Sequence, residues 1–124
     1  MRLALLLVVA IATTCVSTAS AADKARTTVT LSSVTLGGGQ TNWGGPISSP
    51  KKGCKNNRRV LVFRVQQGKD AKVGATKSYK GIVAKGYFWS YSEQGAAPSG
   101  KYYAKVKPTD TCQGDRSKTV QGPS

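Results

Sequence analysis

The chain of 124 residues contains no histidine, and it sets only five acidic residues against nineteen lysines and arginines. Without histidine a serine nucleophile has no imidazole base, and a zinc site loses a common ligand. A Ser-Lys pair is the remaining nucleophilic option, and nothing in the sequence singles one out. The three cysteines form no CxxC pair, so the spacing of a thiolate zinc site or a thioredoxin-like redox motif is missing. The acids, Asp23, Asp70, Glu93, Asp110 and Asp115, make no DxDxDG-like cluster for calcium. Asp110 and Asp115 flank Cys112 on a lysine-rich stretch and are read as surface partners of cations rather than an acid–base pair. No run approaches the roughly 20 apolar residues that span a bilayer as a helix. No long amphipathic helix or internal repeat is visible, which disfavours a helical membrane-active peptide. Catalytic residues, metal and cofactor are therefore all expected to be absent.

The N-terminus carries a different signature. Arg2 supplies a positive start, residues 3–12 form a short apolar run, and Ala19-Ser20-Ala21 has the form of an A-x-A cleavage site. Thr13 and Thr14 end the run too early for a membrane span. The residues before Cys15 lack the pattern of a lipoprotein signal. Residues 1–22 are thus expected to be a cleaved signal peptide, and the protein to be secreted. Cleavage leaves a mature chain of about 100 residues, one small domain by length. Its divisions are read as an N-terminal strand and Gly-rich link at 23–40 and a β-sandwich at 41–124, with the strand at 27–34 part of the sandwich. Cys54 and Cys112 remain after cleavage and are expected to form one disulfide. In the chain-entropy account, closing so long a loop is worth roughly 4 kcal/mol. Free or metal-binding thiols are the alternative, and they lack partner ligands.

Short alternating segments separated by glycine, proline and serine mark an all-β domain. Strands are expected at 27–34, 41–48, 59–65, 72–79, 87–91, 101–107 and 117–121. GGGQ at 37–40 reads as a turn. Residues 59–65 carry apolar groups on both faces, as a central strand does. Gly81 and Gly86 bracket a segment whose register stays open, because either could be the hairpin glycine. Seven or eight such strands predict an immunoglobulin-like or prealbumin-like sandwich.

The series WGGPISSPKKGCKNNRRVLVFR, QGKDAKVGAT, SGKYYAKV and CQGDRSKTV resembles secreted bacterial β-sandwich domains of the carboxypeptidase-regulatory-like or transthyretin-like type, over residues 43–120. The matching positions are Trp43, Gly45, Cys54, Tyr102 or Tyr103, Ala104 and Cys112. These residues define a fold. The resemblance implies paired cysteines and a structural or binding module without a catalytic set.

Several local patterns bear on chemistry. GAAPSGKY at 95–102 approaches a P-loop, but Tyr102 stands where a hydroxyl must bind magnesium, and a strand is expected there instead of a helix. An internal Lys-Asn isopeptide bond lacks a buried glutamate and an asparagine in the last strand. Cationic residues are the main positive feature: losing Arg2 with the leader takes the net charge from +14 to +13, and no acid lies between Lys24 and Lys69. Such a field attracts polyanions without sequence specificity. Lys51, Lys52, Lys55, Arg58 and Arg59 form the expected polyanion-binding cluster; plain solubility is the bland alternative. In YFWSY, Tyr87, Trp89 and Tyr91 share one face, and Phe88 takes the other. That face is read as core, with a stacking platform for sugars or bases as the alternative. The expected function is a secreted, cationic, non-enzymatic binding or structural module contacting anionic envelope or extracellular polymers. A small secreted inhibitor or antimicrobial effector is the second reading. No specific nucleic acid and no membrane span are expected, and the oligomeric state is left open.

Overall fold

The computed structural model describes residues 23–123, and the leader expected at 1–22 lies outside them. Strand alternation sorts the chain into two antiparallel sheets. The first holds β1 (Thr28–Val29), β2 (Ser33–Gly37), β3 (Gln40–Ser48), β6 (Tyr79–Lys80) and β7 (Tyr87–Gln94). The second holds β4 (Arg59–Arg64), β5 (Ala71–Lys77), β8 (Lys101–Val106), β9 (Asp115–Arg116) and β10 (Val120–Gln121). Three successive pairs are single passes of chain, each interrupted once. β1 and β2 both lie on β3, β9 and β10 both lie on β8, and β5 runs on into β6. Counted this way, the passes are ordered first–second–fifth–fourth in one sheet and seventh–sixth–third–fourth in the other. That order is the immunoglobulin-type arrangement of a two-sheet sandwich.

Each interruption departs from a strand expected to be continuous, and each has a local cause. Between β1 and β2 the Thr30 carbonyl turns inward to accept the Trp89 indole N–H at 2.9 Å. Gly45 opposite makes room for it, since a Cβ there would lie 2.0 Å from the Thr30 oxygen. Ladder contact survives on both sides, through Thr30 N to Pro46 O and Ser32 N to Gly44 O. The fourth pass breaks at Ser78, where the chain leaves β4 and joins β7. Ser78 is buried; its hydroxyl donates to Lys55 O and accepts the Arg58 N–H. The last pass bends around Ser117, whose hydroxyl accepts the Ala104 N–H.

Turns follow the glycines. Gly38 and Gly39, with φ of 63° and 75°, make the two-residue loop between β2 and β3, the geometry in which both central residues need positive φ. Gly81 and Gly86 share the β6–β7 hairpin, Gly81 N donating to Gly86 O.

The core lies between the sheets. Trp43, Trp89, Tyr102, Ile47, Val60, Val62 and Val106 are fully buried within it. Trp43 packs between Tyr91 and Tyr102, each with its ring centroid 5.6 Å away. The Tyr102 hydroxyl donates to the Pro98 carbonyl, in the loop that carries the chain from β7 across to β8. This is the tyrosine corner of such sandwiches. Cys54, on a 3₁₀ turn at Lys52–Cys54, is disulfide-bonded to Cys112. The bond fastens the β3–β4 loop to the β8–β9 loop at one end of the molecule.

Candidate anion-binding face

The sequence cluster at 51–59 does not stay together. Lys51 and Lys52 are exposed on and beside the 3₁₀ turn, and Lys55 lies with its Nζ 5.0 Å from the centroid of the Tyr87 ring. Arg58 turns inward and is 5% exposed. Its guanidinium donates to Thr27 Oγ1, Cys54 O, Lys107 O and Gln113 O at 2.9–3.3 Å. Three segments distant in sequence are thereby tied to one planar group, which Arg's fork of donors suits. Burial lowers its pKa. Arg58 is therefore a buried clasp whose guanidinium is committed to bonds within the fold. Arg59 alone of this cluster joins a sheet face.

That face is the outer side of the second sheet. Paired residues of an antiparallel ladder share a face, so the register places Arg59 beside Lys77, Leu61 between Ala75 and Lys105, and Phe63 between Lys72 and Tyr103. Arg116 of β9 sits opposite Lys105. Lys101 has the same parity on β8, with Lys69 and Lys107 at the margins. Phe63 and Tyr103 stack at 5.4 Å with a 15° interplanar angle. The Arg116 guanidinium covers the Tyr103 ring at 3.7 Å, and the residue is 5% exposed. Phe63, Lys69, Asp70, Lys72, Tyr103, Lys105 and Lys107 line an open depression of about 560 Å³.

One acid touches this face. Asp70 accepts the Tyr103 hydroxyl at 2.7 Å and the Gln66 N–H at 3.3 Å. The Tyr103 hydrogen bond, aided by Gln66 and by the charge of Arg116, holds the Asp70 carboxyl below its ordinary range against some desolvation. Burial, and then the bond to Asp70, pushes the Tyr103 phenol up, with Arg116 opposing. Asp115 points elsewhere and accepts the Val29 N–H. The face thus holds a stacked aromatic pair, its Tyr103 covered by Arg116, within a rim of lysines.

The first sheet has the opposite character on its outer side. Thr35, Asn42, Ser90 and Ser92 share that face, and no charged residue stands among the paired outward positions of β2, β3 and β7. The aromatic residues of YFWSY divide as strand parity dictates. Trp89 is 1% exposed, Tyr87 is buried, and Tyr91 is half-buried against Trp43. Tyr91 donates to Glu93 Oε1, and that bond raises its pKa. These rings are core and present no stacking platform. Residues 95–100 form a loop leading into β8. Among the described residues no group of three His, Cys, Asp or Glu is placed to hold a metal ion.

Lys72, Lys77, Lys105, Arg116, Phe63 and Tyr103 do not stand out by local clustering, because they come from four strands. A signal for them exists in the alternation of Arg59, Leu61 and Phe63 and of Lys101, Tyr103, Lys105 and Lys107. Each series spaces cations or apolar groups by two. No family model matches the chain, and no curated protein or solved structure shows a significant match.

Proposed function

We propose that the protein is a secreted, non-enzymatic β-sandwich module that holds anionic polymers of the envelope or extracellular space on the outer face of its second sheet. The carboxypeptidase-regulatory-like or transthyretin-like pattern of its strands and cysteines belongs to the same reading. The supporting observation is electrostatic: Arg59 faces Lys77 and Lys105 faces Arg116 in direct cross-strand register. Like charges so placed are destabilising by some tenths of a kcal/mol per pair. A linear polyanion laid across the strands would relieve both pairs at once. The uncharged outer side of the first sheet adds weight, since charge serving solubility alone has no reason to collect on one face. Phe63, half-buried and stacked on Tyr103, adds one apolar contact beside these charges.

Retention on immobilised heparin at rising salt tests this reading. Lys77→Glu would pair with Arg59, so thermal stability should rise by about 0.5 kcal/mol while elution moves to lower salt. Replacing Lys51 and Lys52 by glutamine should shift elution less than Lys77→Glu and Lys105→Gln together. Equal retention of the wild type and the face variants would overturn the proposal.

A further inference from the structure

The β6–β7 hairpin ends in GIVAKG, and its tip is the most exposed apolar feature among the described residues. Ile82 is 98% exposed and Val83 99%. Folded chains leave single apolar residues exposed at little consequence, but two adjacent β-branched side chains wholly in water at a convex tip are a different matter. The tip is built to project. Gly81 N donates to Gly86 O across its base, and Gly86 has φ of 116°. The Ala84 carbonyl folds over Gly81 so closely that a Cβ would lie 2.2 Å from it. Below the tip, Tyr79 is 45% exposed.

Cations flank this tip and its root. Lys80 and Lys85 flank it in sequence, and the nearest acids along the chain are Asp70 and Glu93, the latter at the far end of β7. The loop bearing Lys51, Lys52 and Lys55 packs on its root: Asn57 N donates to Ser78 O, Ser78 Oγ donates to Lys55 O, and Lys55 lies over Tyr87. The neighbouring turn at 108–114, held by the disulfide, contributes one acid, Asp110. An apolar wedge flanked by Lys80 and Lys85, with a lysine-bearing loop at its root, matches a bilayer with anionic headgroups. The side chains enter the acyl boundary while the ammonium groups meet the lipid charges. A pocket in a protein partner would require a concave, less uniformly basic match.

We propose that this end of the sandwich docks on anionic lipid bilayers by inserting Ile82 and Val83, with Lys80, Lys85 and the 51–55 lysines on the headgroups. The site is separate from the polymer-binding face, and neither proposal depends on the other. The test is co-sedimentation of the full mature protein with vesicles of phosphatidylcholine containing phosphatidylglycerol, against vesicles of phosphatidylcholine alone, in about 0.15 M salt. Binding should require the anionic lipid. Ile82→Ser with Val83→Ser should weaken it at least about tenfold and Lys80→Gln with Lys85→Gln should also weaken it. The serine variant should melt as the wild type does and elute unchanged from heparin, because both residues contact only water. Wild-type protein that stays in the supernatant when the mixed vesicles sediment would overturn the proposal and favour a protein partner for the tip. Serine variants that sediment like the wild type would overturn it as well, reducing the attraction to surface charge. Failure of the polymer reading is scored separately, by the column.

Discussion

Arg58 shows how far a single side chain can depart from the role its neighbours suggest. Between Asn57 and Arg59 it reads as one more cation in a basic run. In the fold it satisfies carbonyls of Cys54, Lys107 and Gln113 and the hydroxyl of Thr27. Removing it takes this donor from all four acceptors, two of them in buried bonds, and hydrogen bonds to charged groups are worth about 1.5–3 kcal/mol each. Arg58→Ala should therefore cost about 4 kcal/mol in denaturant unfolding, a large part of a typical stability of roughly 5–15 kcal/mol. Arg58→Lys should recover only part of the loss, since one ammonium cannot span all four oxygens. Arg59→Gln, by contrast, should leave stability nearly unchanged and lower salt resistance on heparin. A pair of adjacent arginines would then separate cleanly into one that folds the protein and one that faces its ligand.

At the scale of elements, the all-β class, the seven passes and the Cys54–Cys112 pairing were legible in the sequence, because strand periodicity and glycine turns are local signals. The breaks were not. Nothing near Thr30 announces that Trp89, on a strand far along the chain, will claim its carbonyl, nor that Gly45 will vacate the space. Ser78 likewise reads as one residue of a strand at 72–79, and only the two sheets together reveal a crossing. The basic face was hidden for a similar reason: its cations are spread over β4, β5, β8 and β9, and only the register assembles them. The β1–β2 break carries its own prediction. Gly45→Ala drives a methyl into backbone atoms of Thr30 and should cost about 3 kcal/mol, read as a lowered denaturant midpoint. The Thr30 carbonyl would be pushed off the Trp89 indole, so near-ultraviolet circular dichroism should change along with stability.

For the whole molecule, one covalent bond and one modest core set the margin. The disulfide closes a loop between residues 58 apart in sequence, and a domain of about 100 residues has little core to spare. Replacing both Cys54 and Cys112 by serine should lower stability by about 4 kcal/mol and the melting temperature by roughly 20 °C. Intact mass before and after reductant and alkylation should show no free thiol at these positions in native protein. No described helix is long and apolar enough to cross a membrane.

The crossing at Ser78 bears on how that unit comes apart. The fourth pass hydrogen-bonds to β4 in one sheet and, two residues later, to β7 in the other. Neither sheet can melt alone without tearing a chain segment shared by both. The protein should accordingly lose its layers together, as a single cooperative foldon whose amides in β4 and β7 exchange with deuterium at one common global rate.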